Sequence, residues 1–328
     1  MELIINLKRL RKNVEVVRSK TTAKFCAVIK SNAYGHGAKE VVNSICDLVD
    51  FFAVANCEEA LEICEHVNKD VLVLSGRFDG RFYPDNVIFS ALDVADLSVL
   101  NNARKKFAIK INTGMNRLGI SSSDFNLLVN EISLDKIHSV YSHVGSMNRL
   151  KSQFQRLESC KGDFIKHICA GNFLSAEKKF HLDAVRCGLP IYGYGMDGLY
   201  PVMSVCADIV KVFDAQAGDY IGYGDFSVKK NCRIATVSVG YGDGFLRKRK
   251  PDEERVVVIN GVKCPVVGQI CMDLCMVDVT EASVKVGDKA WIICDSLKAD
   301  EVAVHWRTIT YEVLTQLSHA RGVVRYIK

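Results

Sequence analysis

The sequence predicts a two-part α/β protein: an N-terminal (β/α)8 TIM-like barrel followed by a mainly antiparallel β domain. In the first part, short apolar runs alternate with segments of helical periodicity, which is typical of parallel βαβ units, and about eight units indicate a barrel. From about Val205 onward, short apolar runs alternate with Gly and Asp turns, which favours antiparallel strands. We therefore expect a barrel over 8–204 and a β domain over 205–328, with the strand in 1–7 associated with the β domain.

The predicted elements of the barrel follow the chain in order. A strand over 3–7 precedes a helix that buries Leu7, Leu10, Val14 and Val17, which recur at helical spacing. Further strands are predicted at Phe25–Ile29, Phe51–Val54, Val71–Leu74, Val87–Ser90, Phe107–Ile111, Ile137–Tyr141 and Leu182–Arg186. Helices are predicted at Ala38–Ile45, Glu58–His66, Leu97–Ala103 and Phe125–Ile132, and a long polar one near Leu150–Cys169.

The predicted β domain consists of six short apolar runs. Their sequences are DIVKVF, RIATVSV, RVVVI, KCPVVG, MVDV and KAWII. A helical pattern returns only at Val302–Leu317. This sequence pattern predicts a compact antiparallel domain with one helical segment near its end.

Composition and charge favour a soluble cytoplasmic enzyme. The chain is 48% hydrophobic and 25% charged, and its net charge of +5 is spread along its length. The basic cluster Arg247 to Lys250 is more typical of a solvated loop than of a nucleic-acid site. No apolar run reaches the roughly 18 residues of a membrane helix, and the N-terminus lacks the charge-then-apolar order of a signal peptide.

The 13 cysteines predict a reducing environment and no metal site. Most lie in apolar runs, as Cys26, Cys206 and Cys294 do, and they are interpreted as small core hydrophobes. Cys271 and Cys275 are four residues apart, but no second Cys/His pair stands near them. We therefore expect no zinc.

The stretch Phe25–Gly37, FCAVIKSNAYGHG, predicts the active site. Its five leading apolar residues fit a strand buried on both faces, and Ser31, Asn32 and the two glycines mark a loop. Lys30 therefore stands at the carboxyl end of a parallel strand, where barrels carry their catalytic residues.

This stretch resembles the AVxKANAYGHG signature of the alanine racemases, with Ser31 where that family usually has alanine. The resemblance implies that Lys30 forms a Schiff base with pyridoxal 5′-phosphate and that the hydroxyl of Tyr34 contacts the cofactor phosphate. The chemistry agrees, because a lysine must lose its proton to attack an aldehyde, and partial burial lowers its pKa.

A second stretch, KINTGMNRLG, resembles the family's K-V-D-T-G-M-x-R-L-G. The resemblance implies that Arg117 binds the substrate carboxylate, a task that suits the bidentate geometry of a guanidinium. Lys110 matches a lysine that is carbamylated in some members and helps orient that arginine. Asn112 stands where the family usually has Asp, which changes the local charge balance.

Two histidines and one glycine match the next family positions. Tyr141-Ser142-His143 resembles Y-x-H, which implies that the ring of His143 packs on the cofactor ring. His167 matches a histidine that supports an arginine at the cofactor's pyridine nitrogen. Gly171 departs from the family, which has a phosphate-binding serine there; Asn172, Ser175 or a backbone N–H is expected to substitute.

The run RCGLPIYG resembles R-x-G-(I/L)-x-x-Y-G, which implies that Arg186 donates to the pyridine nitrogen. An arginine has no acceptor and stays protonated, so it cannot pass a proton to that nitrogen, and the ring remains a weaker electron sink. We expect this to favour reprotonation of the substrate over transamination. Gly188 and Leu189 offer N–H groups to the phosphate, and Pro190 suits the first position of a helix.

The β domain carries the remaining family motifs. Gly222-Tyr223-Gly224 resembles S-Y-G, which implies that Tyr223 is the second catalytic base: Lys30 would handle the D-enantiomer and Tyr223 the L-enantiomer. The free pKa of a tyrosine is about 10, so such a base needs neighbouring positive charge.

Three further motifs follow in the family's order. VGYGDG, which contains Tyr241, resembles G-Y-x-D-G, and GQICMDLCM resembles G-R-I-C-M-D-Q-x-M. The resemblance implies that the backbone of Met272 binds the substrate carboxylate, while Cys271 and Asp273 line the substrate approach. TITYEV resembles T-x-x-Y-E-V, whose tyrosine, Tyr311 here, reaches the phosphate.

The resemblance covers essentially the whole chain. It implies a homodimeric alanine racemase in which Tyr223 and Met272 serve the partner's site and D-alanine is made for peptidoglycan. Three alternatives stay open at this point: a serine or broad-specificity racemase, a decarboxylase of the same fold type, and a non-catalytic carrier of the cofactor. Arg186 and the segment GQICMDLCM argue against the decarboxylase, and the β domain with Tyr223 argues against the carrier.

Overall fold

The computed structural model describes residues 1–103, 105–247, 255–318 and 321–328, with the side chain of Asn172 left aside. Apart from Arg247, the predicted basic cluster Arg247 to Lys250 lies outside these residues. The described chain forms two compact units, one of Leu10–Leu199 and one that combines Met1–Arg9 with Tyr200–Lys328.

The unit Leu10–Leu199 is built on eight parallel strands. After β1 (Glu2–Asn6), which belongs to the other unit, they are β2 (Lys24–Val28), β3 (Phe51–Val54), β4 (Val71–Val73), β5 (Val87–Ala91), β6 (Phe107–Lys110), β7 (Ile137–Tyr141), β8 (Lys166–His167) and β9 (Ala184–Cys187). Their order is β8-β7-β6-β5-β4-β3-β2-β9, and an isolated bridge pairs Ala170, three residues after β8, with Arg186 of β9. The predicted barrel is confirmed.

Helices follow most of these strands. They are α1 (Leu7–Arg18), α2 (Lys30–Gly35), α3 (Ala38–Ile45), α4 (Cys57–Cys64), α5 (Val94–Asn102), α6 (Ser122–Leu128) and α7 (Leu150–Glu158). Helix α3 buries Val41, Val42 and Ile45, as its periodicity predicts. The side chains of Asn56, Asp93 and Ser121 accept hydrogen bonds from the third residues of α4, α5 and α6, which fixes where these helices begin.

The long helix predicted near Leu150–Cys169 is wrong in its second half. Helix α7 ends at Glu158, and Gly162 follows with a φ of +114°, which a helix cannot accommodate. Strand β8 then pairs with Val140 and Tyr141 of β7. A strand of two residues carries no readable periodicity, so only its hydrogen bonds to β7 reveal it.

The second unit is mainly antiparallel, as predicted. Besides β1 it contains β10 (Met203–Ala215), β11 (Cys232–Val237), β12 (Val256–Ile259), β13 (Val262–Val267), β14 (Cys275–Asp278), β15 (Lys289–Ile293) and β16 (Val323–Ile327). Six strands close into a ring because β10 pairs with both β15 and β11, and β1 and β16 extend the sheet beyond β10. Strand β1 is antiparallel to β10 and parallel to β16.

Two helices complete the second unit, α8 (Ala299–His305) and α9 (Thr310–Ser318). The sequence predicts one helical segment, Val302–Leu317, but Arg307 adopts a φ of +51° and separates the two helices. Strand β16 is not predicted from the sequence, because its side chains are mostly exposed.

Both units have buried apolar cores. Cys26 and Cys206 are buried, as predicted, whereas Cys294 is only half-buried. Within the described ranges, every helix is too short or too polar to cross a membrane.

Candidate active site

The carboxyl ends of the barrel strands bring together the basic residues that the sequence singles out. Lys30 follows β2, Lys110 ends β6, His143 follows β7, His167 ends β8 and Arg186 lies in β9. Because all eight strands are parallel, these ends lie at one mouth of the barrel.

Lys30 opens a short turn of left-handed helix. The four residues Ser31–Tyr34 have φ values between 51° and 55°. For residues other than glycine, the left-handed conformation costs roughly 1–2 kcal/mol each. Such strain persists only where the surroundings over-determine the backbone, and it is concentrated at functional sites.

Side chains from outside the turn hold both its ends. The carboxylate of Glu59 accepts the N–H of Ser31 at 2.7 Å. At the other end, Nδ1 of His36 donates to the carbonyl oxygens of Ala33 and Tyr34, each at 3.0 Å. His36 is fully buried, and burial lowers its pKa to about 4, so the ring stays neutral.

The surroundings of Lys30 favour the neutral form of its amine. Burial and the positive charge of Arg117 lower its pKa, while the carboxylate of Glu59 opposes this effect. A lysine with a lowered pKa supplies the neutral form that acts as a nucleophile or base near neutral pH.

Arg186 is buried and held by fixed acceptors. Its Nη1 donates to Nδ1 of His167 at 2.5 Å, and its Nη2 donates to the carbonyl oxygen of Ser142 at 2.6 Å. Its guanidinium lies 5.1 Å from the ring centroid of Tyr141. His167 Nε2 in turn donates to the hydroxyl of Ser139 at 3.0 Å, so the imidazole is neutral, and burial holds its pKa well below the usual value.

The barrel mouth is strongly cationic. Burial together with Arg117, Arg186 and Lys30 lowers the pKa of Lys110 to about 8. Burial and these same cations, with Lys110, lower the pKa of His143 to about 3. No ion pair among the described residues includes Arg186 or Lys110. The site is therefore suited to an anionic ligand.

Tyr34 and Gly188 form a small cradle. A Cβ atom at Gly188 would lie 2.4 Å from the hydroxyl of Tyr34, so any larger residue there would displace that hydroxyl. A 3-10 turn, Leu189–Tyr192, begins beside it, and its first internal hydrogen bond runs from Ile191 N to Gly188 O at 3.0 Å. The N–H groups of Gly188 and Leu189 precede this bond and can donate to an anion.

Gly171, the position of the missing serine, lies next to this cradle. It begins the 3-10 turn Gly171–Ser175, which contacts Leu189–Tyr192. Gly171 has a φ of +55°, and a Cβ there would meet no atom within 4 Å. Of the expected substitutes, Ser175 is exposed, and the side chain of Asn172 lies outside the described residues.

Asn112 organises the loop that carries Arg117. Its Oδ1 accepts the N–H groups of Gly114 at 3.1 Å and Asn116 at 3.0 Å, and Asn116 adopts a φ of +54°. Arg117 is an exposed residue beyond this loop. An aspartate would make the same backbone contacts, so Asn112 preserves the loop and removes a negative charge.

In the second unit, Tyr223 stands at the tip of a hairpin. Ile221 N donates to Phe226 O at 3.0 Å, and Gly222 and Gly224 adopt φ values of +70° and +79°. This geometry leaves the Tyr223 side chain 65% exposed on this unit.

The motifs VGYGDG and GQICMDLCM of this unit are linked to each other by backbone hydrogen bonds. Tyr241 N donates to Cys271 O at 3.0 Å, and Gly242 N donates to Met272 O at 2.9 Å. Met272 and Tyr241 are both exposed.

Asp273 and Tyr311 occupy exposed positions in the same unit. The carboxylate of Asp273 forms an ion pair of 2.5 Å with Arg321, which also lies 3.5 Å from Asp243. Tyr311 lies in the first turn of α9.

Sequence reasoning misses three residues at these sites. Glu59 and His36 hold the left-handed turn, and only the spacing Asn56-x-x-Glu59, a helix-capping pattern, signals the former. The third is Gln269, which replaces the family's Arg in GQICMDLCM. Its Oε1 accepts Arg247 at 2.9 Å, and that guanidinium lies 5.9 Å from the ring centroid of Tyr241.

The fold and site together define a barrel protein whose strand ends carry a lysine of lowered pKa beside the buried cations Arg186 and Lys110. Residues 5–195 match the family model "Alanine racemase, N-terminal domain", and residues 202–325 match "Alanine racemase, C-terminal domain". The chain belongs to the alanine racemase family, whose members are isomerases.

Similar proteins agree over nearly the full length. The alanine racemase of Vesicomyosocius okutanii is 31% identical, with 96% of this chain and 95% of that protein covered. The alanine racemase of Pasteurella multocida is also 31% identical, with 97% and 96% covered.

Solved structures give the same result. The alanine racemase of Acinetobacter baumannii superposes with a TM-score of 0.90 at 28% identity, covering 99% of each chain. That of Bartonella henselae, which contains covalently bound pyridoxal phosphate, superposes with a TM-score of 0.87 at 26% identity, again covering 99% of each chain.

Proposed function

We propose that this protein is an alanine racemase that interconverts L- and D-alanine with pyridoxal 5′-phosphate bound at Lys30. The observation that carries the proposal is the lysine itself. It stands at the carboxyl end of a barrel strand, its pKa is lowered, and a strained left-handed turn begins at the residue directly after it.

The residues around Lys30 fit this cofactor. The hydroxyl of Tyr34 and the N–H groups of Gly188 and Leu189 would hold the phosphate, in a cradle that a side chain at Gly188 would fill. Arg186 would donate to the pyridine nitrogen, and the neutral imidazole of His143 would pack on the ring. Tyr311 is proposed as a further phosphate contact.

When bound, pyridoxal phosphate acidifies the Cα–H of the amino acid attached to it. Racemisation then requires a proton to leave one face of Cα and another to arrive at the opposite face. Lys30 would exchange the proton of the D-enantiomer, because its lowered pKa makes the neutral amine available. Tyr223 would exchange the proton of the L-enantiomer.

Arg186 keeps the proton chemistry at Cα. It is a donor without an acceptor, and its bonds to His167 and Ser142 fix its orientation. It therefore cannot deliver a proton to the cofactor's ring nitrogen. This favours return of the proton to Cα over transamination.

Arg117 would bind the substrate carboxylate, and the backbone of Met272 would contribute to the same site. Lys110 and His167 would support Arg117 and Arg186, while Tyr241, Cys271 and Asp273 would line the approach.

We further propose a homodimer in which Tyr223 and Met272 of one chain complete the partner's site. The exposure of the Tyr223 hairpin on its own unit supports this assembly. The product D-alanine would supply peptidoglycan synthesis in the cytoplasm.

The test of substrate is chiral analysis of L-alanine, and separately of L-serine, incubated with the full-length protein and pyridoxal phosphate. We expect rapid conversion of alanine to an equal mixture and much slower conversion of serine. Comparable rates for alanine and serine would instead indicate a broad-specificity racemase.

The two-base mechanism is tested with Tyr223→Phe. This variant keeps Lys30 and should still exchange the Cα proton of D-alanine with solvent deuterium, while exchange from L-alanine falls steeply. Equal loss from both enantiomers would contradict separate roles for Lys30 and Tyr223.

A further inference from the structure

The carboxylate of Glu59 ties together the ends of two neighbouring barrel strands. Its Oε1 accepts the N–H of Ser31, the residue directly after Lys30, at 2.7 Å. Its Oε2 accepts the N–H of Ala55, the residue directly after β3, at 2.7 Å. Hydrogen bonds to an ionised acceptor are roughly twice as strong as neutral ones.

The local sequence predicts a different partner for this carboxylate. Asn56 caps α4 by accepting Glu59 N at 2.9 Å, which makes Glu59 the third residue of the helix. In a capping box the glutamate at this position reaches back to the N–H of the cap residue itself. Here it reaches past Asn56, to Ala55 and across to Ser31, so it serves the lysine turn as well as its own helix.

Ser31 needs this partner. It is the first of four left-handed residues, and Tyr34 at the other end of the turn forms the cradle with Gly188. The next loop contact, from His36, holds only the far end of the turn. Glu59 is thus the side chain that fixes the turn where it leaves Lys30.

We propose that Glu59 is a positioning residue for Lys30: its carboxylate fixes the backbone from which the lysine side chain departs and balances the positive charge around the amine. This inference rests on the proposed role of Lys30 as the cofactor lysine. Glu59 touches neither the reacting atoms nor the cofactor in this account, so its effect passes through Ser31 and through charge.

The charges that face Lys30 come from several elements. Arg117, which follows β6, and Lys110, which ends β6, are cationic; His143, after β7, is neutral. Glu59, in α4, is an anion that raises the pKa of Lys30 and so opposes the lowering effect of Arg117. Loss of its charge should therefore make Lys30 a weaker base.

The first experiment measures amide hydrogen exchange at Ser31 in the full-length protein, with and without pyridoxal phosphate. Glu59→Gln keeps the size of the side chain but not its charge, so we expect Ser31 to exchange about tenfold faster or more. The matched control is Glu58→Gln, an exposed neighbour in the same helix, which should leave Ser31 exchange unchanged.

The second experiment titrates Lys30 by its rate of acetylation with acetic anhydride, read by peptide mass spectrometry on the cofactor-free full chain. We expect the pH midpoint of Lys30 to fall by about 0.5 or more in Glu59→Gln. Glu59→Asp should keep the midpoint near the wild-type value but still release Ser31, because its charge stays while its reach is shorter.

Unchanged Ser31 exchange in folded Glu59→Gln protein would overturn the proposal, and an unchanged midpoint would overturn its electrostatic part. Should Glu59→Gln fail to fold, Ser31 exchange in Glu59→Asp carries the same test. Failure of the proposed function is a separate result: wild-type protein would then leave alanine unconverted whatever Ser31 does.

Discussion

Lys110 is a buried cation with no carboxylate partner among the described residues, and this makes it costly to the folded protein. Its pKa is lowered from 10.5 to about 8 by burial and by three neighbouring cations. Between these two values the unfolded chain binds more protons than the folded one, so stability rises with pH across this window. Below pH 8, the buried charge lowers the free energy of unfolding by on the order of 3 kcal/mol.

We therefore expect Lys110→Met to stabilise the cofactor-free protein at pH 7 by about 1–3 kcal/mol. The gain should shrink as pH rises from 8 to 10.5, because the wild-type lysine then becomes neutral in both states. Urea unfolding at several pH values measures this, with the exposed Lys151→Met as control. Carbamylation of Lys110 would give the opposite sign, since an anion there would be stabilised by Arg117 and Arg186, and added CO2 would appear in the intact mass.

Gly171 gives a second prediction at the scale of one residue. We expect Gly171→Ser to bind pyridoxal phosphate several times more tightly than Gly171→Ala, because Gly171 begins a turn that contacts Leu189–Tyr192, beside the proposed phosphate contacts, and open space accommodates an added hydroxyl. Gly171→Ala carries the same strain at a φ of +55° without the hydroxyl. Fluorescence titration of cofactor into both variants measures this, and equal affinities would mean that the hydroxyl does not meet the phosphate.

Residues that belong to a contiguous motif can be predicted from the sequence, and residues that act across the fold cannot. The position of Lys30 at a strand end follows from an apolar run and a loop signal. Glu59 lies on another element, 28 residues away, and nothing in its neighbourhood indicates that it contacts Ser31. The bond between Arg186 and His167, by contrast, is implied by the family resemblance, although strand β8, which carries His167, shows no periodicity in the sequence.

At the scale of elements, the left-handed turn after Lys30 contains four of the eight residues other than glycine that have a positive φ in the described part of the chain. Its composition predicts only a loop, since Ser31, Asn32 and Gly35 fit many turn types. In the structure the predicted loop consists of four consecutive left-handed residues, which Glu59 and His36 stabilise through hydrogen bonds. Local sequence cannot predict such a conformation, because its stability comes from other elements.

Strain in this turn leads to a prediction about stability. We expect Ser31→Gly to stabilise the cofactor-free protein by about 1 kcal/mol, because glycine adopts a φ of +53° without steric cost. The matched control is Ser98→Gly, an exposed serine within α5, which should destabilise by about 0.5 kcal/mol. Urea unfolding compares the two, and a Ser31→Gly protein as destabilised as Ser98→Gly would refute strain at this site.

At the scale of the whole molecule, the chain divides into a parallel barrel unit and an antiparallel unit, and both fold classes follow from periodicity. Seven of the strands described in the second unit, β1 and β10 to β15, coincide with predicted apolar runs. The exceptions are short or exposed: β8 has two residues, and β16 has mostly exposed side chains. Neither has the alternation on which a sequence prediction depends.

The proposed dimer makes a prediction that involves two variants at once. Lys30→Ala and Tyr223→Phe should each be nearly inactive alone, yet after mixing and subunit exchange about a quarter of wild-type activity should return. Half of the dimers would then be mixed, and each mixed dimer would have one intact site. Mixing without any recovery, despite exchange of subunits seen by mass spectrometry, would contradict a site shared between chains.

As an alanine racemase, this protein would remove the Cα proton of alanine and return a proton to either face. The most direct measurement starts from pure L-alanine in deuterated water, with wild type and Lys30→Ala each supplied with pyridoxal phosphate. It follows the Cα proton by NMR and the enantiomers by chiral chromatography. We predict that wild type produces an equal mixture of deuterated L- and D-alanine, while Lys30→Ala leaves the L-enantiomer intact. Unchanged L-alanine in the presence of cofactor-loaded wild type, or release of CO2 from it, would contradict the account.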